Sequence, residues 1–228
     1  MQLLVKSALI VDPNSPHNGK TQDVLIEGGT ITDSKTKIPP AGIKKVIEAN
    51  DIHLSSGWFD MQANFCDPGF EYKEDLLSGI KAAAAGGFTG VAVVPSTNPP
   101  LHSKTQVEYV INKTAGKIVD VHPIGSISHK LEGKDLSEMY DMKMSGAVAF
   151  TDDIHPVMSA GLLHRALLYT KNFGGLIISR CNDTSLSTGL CVNEGKISVM
   201  RGLKGEPSIA EEIMLTRELF LAEYSEAR

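Results

Sequence analysis

The chain has 228 residues, 42% of them hydrophobic and 21% charged, with a formal net charge of −5. This is the composition of a globular protein able to bury a substantial core, with room for one large domain and a small attachment. The acidic balance and the lack of any basic tract argue against nucleic acid or an anionic membrane as partner. No run of about 18 apolar residues offers a membrane span. Cys66, Cys181 and Cys191 are widely spaced and form no CxxC pair, so they read as reduced thiols of a cytoplasmic protein.

Up to about Ser55 the chain reads as strands and turns. "QLLVKSALIV" is a strand, "DPNSPHNGK" a loop, and "DVLIEGGTITD" a hairpin turning at Gly28-Gly29. "KKVIEAN" is a further short strand. From Gly57 the pattern changes to short apolar runs alternating with helical segments. The strand "WFDMQAN" precedes a helix in "YKEDLLSGIKAAAAGG", with "EYKED" as its charged start and the Gly pair as its stop. "TGVAVVP" is a continuous apolar run, as in a parallel strand buried on both faces. "QVEYVINKTAG", "LSEMYDMKMSG" and "SAGLLHRALLYTKNFGG" read as helices, and "IVDVHPIGSIS", "AVAFTDD" and "LIISRC" as strands. A last helix is expected from Pro207 to Glu223, with Ile209, Ala210, Ile213, Met214, Phe220, Leu221 and Tyr224 on one face. Repeated βα units imply a parallel sheet, doubly wound or barrel. No G-x-G-x-x-G or P-loop follows any strand, so dinucleotide and P-loop readings find no support.

Three stretches go beyond architecture. "FDMQANFCDPGFEYKEDLLSGIKAAAAGGFT" resembles the first strand and helix of the dihydroorotase family, where the strand reads D-x-H-x-H-x-R-x-P-G. "VPSTNPP" is similar to that family's M-P-N-T-x-P-P segment. "GAVAFTDD", "SRCND" and "GLKGEPSIAEEIMLTRELFLAE" resemble its fourth strand, fifth strand and next helix, in that order. The likeness is greatest to class I dihydroorotases of the amidohydrolase superfamily and covers nearly the whole chain. It implies an amidohydrolase-type (β/α)8 TIM barrel, of which about five βα units are present, over residues 56–228, with a small N-terminal β subdomain over residues 1–55.

The resemblance also implies a zinc site at the strand ends, which polarises a cyclic amide carbonyl and generates hydroxide for the interconversion of carbamoyl aspartate and dihydroorotate. Its functional pattern is largely missing here. The two histidines of the HxH fall on Gln62 and Asn64, the substrate-gripping arginine on Cys66, the substrate-binding asparagine on Ser96, and the ligand histidine of the fifth strand on Arg180. The aspartate ligand is kept as Asp153; a further histidine and the catalytic aspartate belong to strands beyond Arg228. Amides are poor zinc ligands. A guanidinium ~4 Å from a divalent cation is repelled by roughly 8 kcal/mol at an effective dielectric of ~20. These six positions therefore read as a vestigial site, with no catalytic residue, no metal and no cofactor expected, and with an Arg180–Asp153 ion pair standing where the metal was. A soft-metal site of Cys66, Cys181 and Asp153 is the weaker reading, since Cys181 matches a cysteine common in active relatives, and none of the seven histidines falls in an HxH or HExxH spacing. Asp67, Pro68 and Gly69 read as a plain turn. The resemblance implies an inactive dihydroorotase-like protein of pyrimidine biosynthesis, with aspartate carbamoyltransferase or a second copy of itself as candidate partner. The alternatives are an active cyclic-amide hydrolase with an altered metal site and a small-molecule sensor using the emptied pocket.

Overall fold

The structure, a computed structural model, describes residues 2–187, 189–190 and 192–227, which leaves Cys191 outside the described residues. The chain divides into two compact units, Met1–Gly57 and Trp58–Arg228. In the first, β1 (Gln2–Val11) turns Leu4, Val5, Ala8 and Ile10 inward. It pairs antiparallel with β2 (Thr21–Glu27), and β2 with β3 (Thr30–Lys35). Gly28 and Gly29 join β2 to β3 at φ +59° and +89°, the left-handed dihedrals that a two-residue hairpin turn demands. Two short strands, β4 (Lys45–Ile47) and β5 (His53–Ser55), lie parallel to β1 along successive parts of its length.

The second unit alternates strand and helix. It contains β6 (Trp58–Ala63), α1 (Leu76–Ala85), β7 (Phe88–Val93), α2 (Lys104–Thr114), β8 (Asp120–Gly125), α3 (Met139–Met144), β9 (Ala149–Phe150) and α4 (Ala160–Lys171). The four strands run parallel in the order β6-β7-β8-β9. This is the parallel sheet of βα units that the apolar runs predict. Alternation along β7 explains why its run is apolar throughout. Val91 and Val93 pack with Leu76, Ile80 and Val110 of the flanking helices, while Ala92 packs on the other face with Ile124 and Ala149.

Three sequence expectations change. The helix in "YKEDLLSGIK" starts later than its charged stretch suggests, because Asp75 is its N-cap and accepts the N–H groups of Leu77 and Ser78. Tyr72, Lys73 and Glu74 lie before it. The fifth strand reduces to a single bridge, Phe150 to Ile177, because β9 is two residues long and offers few rungs. After it come α5 (Thr184–Ser187), β10 (Val192–Asn193), α6 (Lys196–Met200), β11 (Gly205–Glu206) and α7 (Ile209–Ser225). Along α7 the expected single apolar face splits. Ala210, Met214, Glu218 and Ser225 form the buried line, whereas Ile209, Ile213, Phe220 and Tyr224 are exposed.

The largest fully buried side chain is Phe150, in a cluster with Ile127, Met139, Met142, Leu162, Leu163 and Ala166. Truncating it leaves a cavity that rigid helices on both sides are unable to fill. Phe150→Ala should therefore lower the unfolding free energy by about 3–5 kcal/mol in a urea titration. A loss below about 1 kcal/mol would mean that β9 is not the packed strand described.

Candidate functional site

A cavity of about 640 Å³ opens at the C-terminal ends of the parallel strands, where α/β sheets usually place ligands. Gln62 from β6, Asp153 just after β9, and Arg180 after the Ile177 bridge all line it. Asp153 is 5% exposed and sits at φ +51°, a left-handed conformation that costs a non-glycine residue about 1–3 kcal/mol and is kept where the surroundings impose it. Its N–H donates to Thr151 Oγ1 at 3.0 Å, and its Oδ1 accepts from Gln62 Nε2 at 3.1 Å. The expected Arg180–Asp153 ion pair is not formed, and no salt bridge among the described residues joins the two. Arg180 and Gln62 are both exposed, but it is Gln62 that reaches the carboxylate, from the far side of the sheet. A neutral amide, rather than a cation, answers this acid.

The neighbouring Asp152 has a different task. Its carboxylate accepts the N–H groups of Ile127 and Ser128, both at 2.9 Å, and the Ser128 hydroxyl, so it ties the loop after β8 to the end of β9. Burial pushes its pKa up, against these hydrogen bonds.

The other expected positions are apart from the cavity. Asn64 Oδ1 accepts the Cys66 N–H at 3.0 Å, closing a local turn in which Cys66 has φ +59°. Ser96 Oγ is buried with no hydrogen-bond partner among the described residues. Asp67 is more than part of a turn. Its fully buried carboxylate accepts Lys113 Nζ at 2.7 Å, Tyr109 OH at 2.8 Å and the Leu76 N–H at 3.1 Å. Burial alone would raise its pKa, but the hydrogen bonds from Lys113, Leu76 and Tyr109 outweigh burial and lower it. Gly69 brings the same loop against the one after β7. A Cβ there would lie 2.0 Å from the Asn98 carbonyl oxygen, and φ is +95°. The sequence also does not reveal Asn182, Asn193, Glu194, Glu206 and Glu211, which line the cavity from segments after the Ile177 bridge. No spacing signal connects them to Gln62.

This frame of strands, strand-end acid and cavity can be set against known proteins. The family model described as "Dihydro-orotase-like" matches residues 53–227. The chain belongs to the dihydroorotase family. It is 42% identical over 228 residues to a dihydroorotase of Ruminiclostridium cellulolyticum, covering 100% of this chain and 53% of that one. To a dihydroorotase of Acetivibrio thermocellus it is 43% identical over 224 residues, covering 98% and 52%. The chain thus spans about half the length of the curated relatives it matches. Among solved structures, an L-hydantoinase from Arthrobacter aurescens superposes with a TM-score of 0.77 at 19% identity, over 99% of this chain and 51% of that one. A dihydroorotase crystal structure superposes with 0.60 at 12% identity, over 99% and 63%. These two carry the fold, a partial amidohydrolase barrel.

The dihydroorotase family is a zinc family, and the donors present do not fit zinc. Of the four positions that the resemblance assigns to zinc ligands, Gln62 and Asn64 offer neutral amides, Arg180 a permanent cation, and Asp153 alone a zinc-competent carboxylate. Among the described residues no three His, Cys, Asp or Glu side chains converge on a point that would hold a metal. Cys66 and Cys181 therefore do not join Asp153 in a soft-metal set. Cys181 Sγ instead donates to Glu218 Oε2 at 3.3 Å. Burial and that carboxylate push its thiol up to about 11, so it stays protonated at neutral pH and is a poor ligand or nucleophile.

The Asp67 network makes a pH-dependent prediction. A carboxylate with a depressed folded pKa adds stability above its ordinary value of about 4 and loses it as pH falls through the folded value. Lys113→Met removes the cation, whose side chain is 32% exposed, so the cost at pH 7 should be about 1–3 kcal/mol. In thermal melts the gap between wild type and variant should shrink steadily below pH 4. A gap that stays constant down to pH 2 would show that Lys113 does not act through the Asp67 charge.

Proposed function

We propose that this chain is part of a dihydroorotase-like protein of pyrimidine biosynthesis that works in the cytoplasm without hydrolysing dihydroorotate, as a structural partner of aspartate carbamoyltransferase. One observation carries the reading. The buried acid at the strand ends, Asp153, is hydrogen-bonded to the Gln62 amide in a cavity whose other expected ligand position holds Arg180. Hydration of a cyclic amide needs an activated water and a polarised carbonyl, and none of Gln62, Asn64 or Arg180 supplies a zinc ligand for either. Losing one outer partner of a metal costs about 10–100-fold; replacing three ligands costs far more.

Charge points the same way. Carbamoyl aspartate and dihydroorotate carry carboxylates, while Asp153, Glu194, Glu206 and Glu211 line the cavity against the single cation Arg180. Such a field repels anions. Cys66 and Ser96, where the family grips substrate carboxylate, add no charge to oppose it. Gln62, Asn64, Cys66, Ser96, Asp153 and Arg180 are thus vestigial positions of a catalytic site. A barrel that no longer turns over substrate is kept for its surface, which is why the partner is sought in the preceding enzyme of the same pathway.

The test is zinc content together with dihydroorotate hydrolysis, on the full-length protein purified without chelator. Sub-stoichiometric zinc and turnover at least ~10³-fold below an active family member is the expected result, from the loss of three ligands at about 10-fold or more each. Stoichiometric zinc with normal turnover would instead favour a cyclic-amide hydrolase with an altered site.

A further inference from the structure

Gln62 lies on β6 and Asp153 three residues past the end of β9, the two outermost strands of the four-stranded parallel sheet β6-β7-β8-β9, and they are 91 residues apart in sequence. Three strand spacings of about 4.8 Å would separate those strands by roughly 14 Å in a flat sheet. A 3.1 Å hydrogen bond between them therefore requires the sheet to curl, bringing its outer strand ends together across the ends of β7 and β8. Asp153 is 5% exposed, with a strained backbone that aims its carboxylate into the cavity. A buried acid needs an answering group. Gln62 Nε2 is the side-chain donor that reaches it among the described residues, while Arg180, on the same cavity wall, does not pair with it.

We propose that Gln62 is a structural substitute for the family metal: its amide takes the cation's place as the partner of Asp153 and ties the end of β6 to the end of β9, holding the curl of the half-barrel. The inference rests on the reading that the zinc set is lost, and it adds a role for what replaced it. A metal bridging ligands on the first and fourth strands draws those strand ends together; an amide–carboxylate hydrogen bond does the same with a neutral donor. Gln62 is thereby a positioning residue.

The test compares the full-length protein with Gln62→Met, Gln62→Glu, Asp153→Asn, Arg180→Ala and the double variant Q62M/D153N, all in metal-free buffer. Methionine keeps the length of the glutamine side chain and removes the amide, so Q62M should fold and melt about 2–10 °C lower, the cost of a buried acceptor left unpaired. Asparagine tolerates the left-handed backbone at 153. The double variant should lose much less than the sum of Q62M and D153N, the signature of direct coupling. R180A should melt within about 1 °C of wild type, as expected of an exposed residue. Q62E faces one carboxylate with another; it should melt lower without metal and recover on addition of Mn²⁺, whereas wild type should show no Mn²⁺- or Zn²⁺-dependent shift. Faster amide hydrogen exchange in β6 and β9 of Q62M, with α4 unchanged, would locate the loss at the strand ends. A Q62M protein as stable as wild type, additive Q62M and D153N effects, or a wild-type melting temperature that rises with zinc would each overturn the tie. Dihydroorotate turnover by the wild type overturns the functional reading instead, so the two failures are distinguishable.

Discussion

A buried carboxylate at the mouth of a curled parallel sheet has to be answered, and the character of this site depends on what answers Asp153. A divalent metal would make the cavity a hydrolytic centre. A guanidinium would make it an internal ion pair. The Gln62 amide does neither: it engages the carboxylate through a neutral hydrogen bond, without a cation. The cavity keeps its walls and its place at the strand ends, with Gln62 and Arg180 standing at two of the positions that the family resemblance assigns to metal ligands.

The rest of the strand-end region is held independently of that carboxylate. Asp67, with Lys113, Tyr109 and the Leu76 N–H, fixes the loop after β6 to α1 and α2. Asp152 fixes the loop after β8 to β9, and Gly69 lets the first two loops meet at the Asn98 carbonyl. Three separate devices thus shape the rim, and none involves the positions where the family places its ligands. Residues 62, 64, 66 and 180 can therefore depart from the family pattern without disturbing these contacts. Scaffold and chemistry are written in different residues.

Much of this was legible before the structure. The apolar run through Val91–Val94 and the Gly pair after α1 gave the βα rhythm because a strand buried on both faces has no polar alternation to confuse it. The family motifs placed the six site positions, and Gln62, Asp153 and Arg180 do share a cavity. What was not legible depended on distance and on side-chain reach. Opposite charge suggested Arg180 as the partner of Asp153, but the bond that forms is to Gln62, which the curl of the sheet brings within reach. The buried line of α7 carries Glu218 and Ser225 beside Ala210 and Met214, so counting apolar residues found only part of the buried face. Glu218 is there to receive the Cys181 thiol and the Arg217 guanidinium, partners that sequence periodicity does not reveal. Asp67 looked like a turn residue because its partners Tyr109 and Lys113 lie 42 and 46 residues away.

The central claim is that an amide occupies the place of the metal. It is tested most directly by crystals of the full-length protein grown with excess zinc and measured at the zinc absorption edge. The account predicts no anomalous peak among residues 62, 64, 153 and 180, with Gln62 Nε2 still within hydrogen-bond distance of Asp153. An ordered zinc on the Asp153 carboxylate, with the Gln62 amide swung aside, would contradict it.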